Sequence, residues 1–216
     1  MANRPVYLVK NSAPYVEQVD VNFEFYNGFS TTQKRLSIKS LHTAFLEMYP
    51  QTNLLEISSK SENPFGIKIS AFNLKFLYKE KVFTVESAFQ GSKVFESGGP
   101  YVDLLDKTSL DAKKDERIRN SGQLTNFKFF DEIFPLEPKT YFYDWLYINA
   151  LNFHSDLAKE ILKFDAFTDI EFNPKKSLNC QAKAAAIFVG LNRANLISDT
   201  LSSKENFLQI VYPKEA

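Results

Sequence analysis

The chain has a single cysteine, Cys180, which excludes an internal disulfide. Its only histidines are His42 and His154, so with one thiol a zinc cluster has too few of its usual ligands. No apolar run follows a basic start, and no stretch approaches the roughly 20 apolar residues of a membrane helix. The cytoplasm is therefore the expected location. Charge of one sign is also missing: Lys and Arg total 26, as do Asp and Glu. A protein that grips long nucleic acid by electrostatics is usually basic, so a general DNA binder is not expected, whereas a local site for one modified nucleotide is compatible with zero net charge. Phosphoryl transfer lacks a glycine-rich loop here, and serine–histidine chemistry lacks a nucleophile elbow.

What is present is an ordinary globular composition, 44% hydrophobic and 24% charged, with 21 Phe among 216 residues. The length suits one domain with an N-terminal elaboration. Most of the phenylalanines should form core, with some left to line a pocket. The alternation Val19-Asp20-Val21-Asn22-Phe23-Glu24-Phe25 predicts a strand, closed by a turn at Asn27-Gly28. A helix should start at Ser30 or Thr31 and run through Met48, with Leu41, Ala44, Phe45 and Met48 at helical spacing and Pro50 beyond its end. Leu55 to Ile57 reads as a short strand. The segments 67–74, 76–78 and 82–83 read as short strands or extended loop. Further helices are expected over 85–97, 110–119, 144–162 and 178–191, and a strand over 167–172.

The segment 85–97 carries the clearest chemical pattern. Thr84 can cap it, Glu86 suits its positive end, and Gly98-Gly99-Pro100 should stop it. On such a helix Gln90 lies roughly 40° from Glu86, and Lys93 roughly 20° to the other side. The three share a stripe beside the apolar residues Val85, Ala88, Phe89 and Phe95, where a half-buried pocket wall would lie. A lysine there could act as a nucleophile if burial lowered its pKa, and a nearby carboxylate could move a proton. Spacing alone leaves a second reading open, a first-turn acid matched to the helix dipole and a solvated lysine.

These residues also carry a resemblance. The stretch 66–95 resembles the NADAR family pattern, a glycine and a Ser-Asn-Phe-like element, then a hairpin, then a helix of the form V-E-x-x-x-Q-x-x-K-F. Here the element reads Ser70-Ala71-Phe72-Asn73, with the asparagine displaced. Longer phrases bring the chain closer to the NADAR antitoxins paired with DarT-type DNA ADP-ribosyltransferase toxins (DarG-like systems), over nearly its whole length. They include Arg4-Pro5-Val6, Leu55-Glu56-Ile57-Ser58-Ser59-Lys60-Ser61, Phe89-Gln90-Gly91-Ser92-Lys93 and Gly98-Gly99-Pro100-Tyr101. Phe142 to Tyr147, Phe167 to Pro174 and Asn179-Cys180-Gln181-Ala182 complete the set. A Trp-Gly-x-Gly element common in NADAR proteins is absent, since the one tryptophan is Trp145.

The resemblance implies an α+β fold, a single NADAR (YbiA-like) domain, mostly helical with a small sheet and an N-terminal strand/helix elaboration. The corresponding divisions are 1–54 for the elaboration, 55–200 for the catalytic domain and 201–216 for a C-terminal tail. It implies an ADP-ribosylglycohydrolase that removes ADP-ribose from guanine in single-stranded DNA, releases ADP-ribose, and has the cognate toxin as a further partner. Lys93 would form a covalent imine, with Glu86 as its catalytic partner. Ligand contacts would come from Ser59, Lys60, Ser70, Phe72, Asn73, Gln90, Trp145, Asp169, Glu171, Asn173, Asn179 and Gln181. No metal or organic cofactor is implied. Two rivals stand beside this reading, an N-glycosidase acting on riboflavin-pathway intermediates and a non-catalytic antitoxin that binds its toxin.

Several of these residues carry a separate reading from their own chemistry. Asp169 and Glu171, two apart on a strand, would share one face and could bind ribose hydroxyls or simply face solvent. Lys175 and Lys176 before a helix start bearing Asn179 and Gln181 could bind a diphosphate or form a solvated loop. Lys113, Lys114, Arg117 and Arg119 form a basic patch diluted by acids, open to a DNA backbone or to solvent. Trp145 could stack on a base or pack in the core.

Overall fold

The computed structural model describes residues 1–213, and 214–216, the end of the expected C-terminal tail, lie outside the described residues. The chain opens with β1 (Ala2–Val9), β2 (Val16–Phe23), α1 (Thr31–Met48), β3 (Leu54–Glu56) and α2 (Pro64–Lys68). It continues with β4 (Lys75–Tyr78), β5 (Lys81–Thr84), α3 (Val85–Gly91), β6 (Lys93–Phe95) and a 3-10 turn at Val102–Asp106. Next come α4 (Ser109–Lys114), α5 (Arg117–Asn120), β7 (Leu124–Phe129), β8 (Glu132–Phe134) and α6 (Tyr141–Phe153). The last elements are α7 (Ser155–Ile161), β9 (Ala166–Thr168), α8 (Gln181–Arg193), α9 (Ile197–Thr200) and α10 (Lys204–Val211). The fold is α+β with more helix than strand and only small sheets, in agreement with the sequence-based expectation. The described residues group into two compact units, one of 1–70 with 155–213, the other Ala71–His154.

In the first unit β1 and β2 form an antiparallel pair in which Val6 faces Val19. β9 pairs antiparallel with β1 and parallel with β3, giving the order β2-β1-β9-β3. The Ser30 side chain accepts from the Gln33 N–H and so caps α1. Ser37, Ile38, Leu41 and Phe45 then fall on one buried face of that helix, at the spacing an amphipathic helix requires. Val6, Val21, Phe23, Ile38, Leu41, Phe45, Ala166 and Ile170 form the core of this layer. α8 is buried almost all round, from Ala184 to Leu191.

The second unit holds the β4–β5 hairpin and the antiparallel sheet β6-β7-β8. Its core is aromatic. Phe129 contacts Phe76, Phe83, Phe142 and Trp145 through ring-to-ring packing, and Phe127 stacks on Phe142 at 4.8 Å. Edge-to-face and offset pairs of this kind contribute about 0.5–1.5 kcal/mol each beyond their buried area. Much of the phenylalanine excess is spent here.

Several expected elements are shorter or broken. The helix expected over 85–97 ends at Gly91, because Ser92 closes the last turn and Lys93 pairs with Phe127 in β6–β7. The helix over 144–162 starts earlier, at Tyr141, and breaks at His154, whose backbone is extended and whose ring binds the Lys75 carbonyl. The strand over 167–172 stops at Thr168, because the Asp169 carboxylate accepts the Glu171 and Phe172 N–H groups and folds the chain into a turn. The helix over 178–191 begins only at Gln181, since Cys180 is extended. The helix over 110–119 is two short helices parted at Asp115 and Glu116. Part of 67–74 belongs to α2, whose start Asn63 caps and Pro64 favours. Strands β7 and β8 were not foreseen.

Candidate functional site

The Thr84 side chain accepts from the Ser87 N–H, and Ser87 returns the bond, so a capping box fixes the start of α3. Glu86 and Gln90 follow four residues apart, on one face and both buried. Gln90 Nε2 donates to Glu86 Oε1 at 2.9 Å, and Lys93 Nζ donates to Gln90 Oε1 at 2.7 Å. Lys93 thus joins the expected cluster although it stands on β6 rather than on the helix. Only the route is corrected: the chain turns at Ser92 and brings the lysine back over α3. Gly99 helps to hold it there. Its φ is +90°, and a Cβ added to it would lie 2.2 Å from the Lys93 carbonyl oxygen. The Gly98-Gly99 pair therefore closes a tight turn against β6 instead of stopping a helix, with the Phe95 N–H donating to the Gly98 carbonyl.

The Lys93 amine is half-buried, with Nζ 4.9 Å above the Phe89 ring. Burial pushes its pKa down from 10.5 to about 8; Glu86 opposes the shift and Lys113 adds to it. At pH 7 a lysine of that pKa is uncharged about one-tenth of the time, against roughly one part in three thousand for an ordinary lysine. Lys113 Nζ stands 3.8 Å from Glu86 Oε1 and 4.9 Å from the Phe72 ring centre. Phe72, Glu86, Gln90 and Lys93 are thereby gathered within the second unit, together with Lys113. Asn73 is exposed in the turn after Phe72. Trp145 packs against Phe129 and Phe134. The basic patch also resolves differently: Arg117 is engaged by Asp103 and Asp115 and lies over the Tyr101 ring, while Lys113 turns to Glu86.

The first unit holds a separate polar network. Glu56 Oε2 accepts from the Thr168 hydroxyl at 2.6 Å and Oε1 from the Ile170 N–H at 2.9 Å. Burial pushes the Glu56 carboxyl up, against these bonds and one from Ser58. Thr168 Oγ also meets His42 Nε2 at 2.8 Å. With the hydroxyl proton given to Glu56, the imidazole Nε2–H is the donor of that pair. Asp169 accepts from Gln181 Nε2 at 2.9 Å, and burial with the Glu56 charge pushes it up to about 8. Asp169 and Gln181 are thus brought together, but Glu171 is not beside them on a strand face. It is exposed and pairs with Lys34 at 3.2 Å. Asn173 Oδ1 accepts the Lys175 N–H and shapes a turn. Asn179 precedes α8 rather than sitting in its first turn. Ser70 is buried and donates to the Ile67 carbonyl, while Ser59 is exposed and Lys60 half-buried in the turn after β3. Glu56, Thr168 and His42 were not picked out as site residues. The signal for Glu56 was a lone acid between Leu55 and Ile57 in a short apolar strand.

Burial holds the His42 imidazole down, from 6.5 to about 4. Between those values the unfolded chain takes up a proton that the folded chain refuses, so this contribution to stability is present above 6.5 and lost as pH falls toward 4. The shift corresponds to about 3 kcal/mol. Asp169 works in the opposite sense, its contribution declining as pH rises from 3.8 to about 8. His42→Gln is therefore expected to flatten the acid limb of stability in denaturant titrations made across the His42 window. A limb as steep as that of the parent chain would contradict this.

The fold and the unit 71–154 together define an α+β protein carrying a desolvated amine linked through an amide to a buried carboxylate. A family model described as DarT1-associated NADAR antitoxin matches residues 2–216, and the chain belongs to that family. The wider NADAR family is generally one of N-glycosidase hydrolases, and the family description ties its antitoxins to a DarT1 toxin. Comparison with curated proteins gives no match. Among the described residues no helix is long and apolar enough to cross a membrane.

Proposed function

We propose that this antitoxin is an enzyme, a glycohydrolase that cleaves ADP-ribose from guanine bases of single-stranded DNA and so reverses the action of a DarT-type toxin. The stretch 55–200 carries the catalysis. The observation that supports the reading most is the Lys93 amine, pushed down to about 8 and bonded through Gln90 to Glu86. A neutral amine that donates one N–H to Gln90 keeps its lone pair for an electrophile.

The substrate joins C1 of the distal ribose to the guanine amino nitrogen. Opening of the sugar ring makes that bond an imine: the ring oxygen leaves C1 and becomes a hydroxyl with the proton that the guanine amino nitrogen gives up. Lys93 adds to C1, and the two protons of its amine pass in turn to the guanine nitrogen, the second as the C1–guanine bond gives way. The C1–guanine bond then breaks, leaving an imine on Lys93 and a free guanine amino group. Water adds to C1 and the lysine departs as the amine. The sugar aldehyde recloses as ADP-ribose. Glu86 holds the proton between these steps, acting through the polarised Gln90 amide or directly. Phe72 and Gln90, in the same unit as Lys93, are assigned to ligand binding.

The test is release of ADP-ribose from an ADP-ribosylated oligonucleotide, run beside riboflavin-pathway intermediates. Release from the oligonucleotide alone is the expected result. Cleavage confined to the riboflavin-pathway compounds overturns the substrate assignment, and cleavage of neither favours an antitoxin that acts by contact.

A further inference from the structure

Lys113 lies on α4, in the basic patch that the sequence left open to a DNA backbone or to solvent. Its position is set by Ser109, the first residue of that helix. Ser109 Oγ lies 2.7 Å from Thr84 Oγ, at the cap of α3, and donates to the Phe72 carbonyl at 2.8 Å. Ala112 is wholly buried on the same side. One helical turn beyond Ser109, residue 113 falls on the face so docked. Its amine comes to 3.8 Å from Glu86 Oε1, above the Phe72 ring. Glu86 therefore stands between two amines, Lys93 through Gln90 on one side and Lys113 on the other.

We propose that Lys113 is a positioning residue for the reaction, holding the Glu86 carboxylate and, by like-charge repulsion, favouring the uncharged form of the Lys93 amine. This rests on the reading of Lys93 as the nucleophile. The charged groups acting on Lys93 are Glu86 and Lys113, and their effects have opposite sign. Removing the Lys113 charge ends a repulsion and also leaves Glu86 free to attract Lys93 fully. Both changes favour the ammonium form. Lys113 is largely exposed, at 56% of its side chain, so water screens the effect and its loss should leave the fold intact.

The experiment measures reductive methylation of Lys93, by formaldehyde and cyanoborohydride, from about pH 6 to about pH 10, reading the Lys93 peptide by mass spectrometry. In the parent chain labelling should rise with a midpoint near 8. In Lys113→Met the curve should move to higher pH by about half a unit or more, lowering labelling near neutrality about threefold. Lys113→Arg, which keeps the charge, should follow the parent chain. A Lys113→Met curve that coincides with the parent, or moves to lower pH, overturns the proposal. Borohydride trapping of the ADP-ribosylated oligonucleotide on Lys93 separates the two ideas. Trapping with an unmoved Lys113→Met curve discards the role of Lys113 alone. A parent midpoint at the ordinary lysine value discards Lys113 and the nucleophile together.

Discussion

Lys93→Ala is expected to abolish ADP-ribose release, lowering the rate by on the order of 10³-fold or more, and to abolish the borohydride adduct with the modified oligonucleotide. Lys93→Arg should be as inactive, because a guanidinium stays protonated at every accessible pH. In the parent chain the rate should climb as pH rises toward about 8 and level off above it, since the reactive form is the neutral amine. That direction follows from the sign of the shift: burial lowers the pKa, so the ammonium is lost at a lower pH than in an ordinary lysine. Cells offer a harder test. If Lys93→Ala still protects against the toxin, neutralisation by contact replaces catalysis as the antitoxin mechanism.

Glu86→Gln should slow the reaction by about 10²-fold while moving its pH profile to lower pH. The two changes run in opposite senses for a simple reason. The Glu86 charge stabilises the Lys93 ammonium, so its removal leaves more neutral amine near pH 7. A variant with more of the reactive form and a lower rate has lost its proton acceptor rather than its nucleophile. Because glutamine is close in shape and can still accept from Gln90 Nε2, the cluster should stay assembled. A variant as fast as the parent chain would reduce Glu86 to an acid matched to the start of α3. Pre-steady-state trapping would refine the outcome, since formation and hydrolysis of the imine draw on the proton acceptor at different moments.

Much of this site can be read directly from the sequence. Thr84 as cap, Glu86 in the first turn and Gln90 one turn later are local features, set by backbone geometry over a few residues, and the structure has them so. The same holds in part for α1, whose start at Ser30 or Thr31 and buried Leu41 and Phe45 were legible in its spacing, although Met48 of the same stripe is exposed. The phrases shared with the NADAR antitoxins were legible for a different reason: a run of polar residues in a fixed order is hard to match by chance.

The placement of Lys93 shows where local reading stops. Helical spacing put it on the stripe of Glu86 and Gln90, yet it reaches them from a strand. The decision lay 34 residues away in Phe127, whose strand pairs with Val94 and its neighbours and draws them out of the helix. Asp169 and Glu171 were likewise parted by a carboxylate that bonds the backbone ahead of it, which alternation cannot reveal.

The single cysteine excluded an internal disulfide, and caps and turn chemistry, which are short-range, determined by themselves that Glu86 opens a helix carrying Gln90 on the same face; the α+β class came with the resemblance to the NADAR family. Tertiary structure alone decided which side chains lose their water, Lys93 over Phe89 and Glu56 beneath Thr168 and His42, and that α4, docked through Ser109, brings the exposed Lys113 onto Glu86. Burial depends on partners far along the chain, and it is burial that moves a lysine from permanent charge toward reactivity.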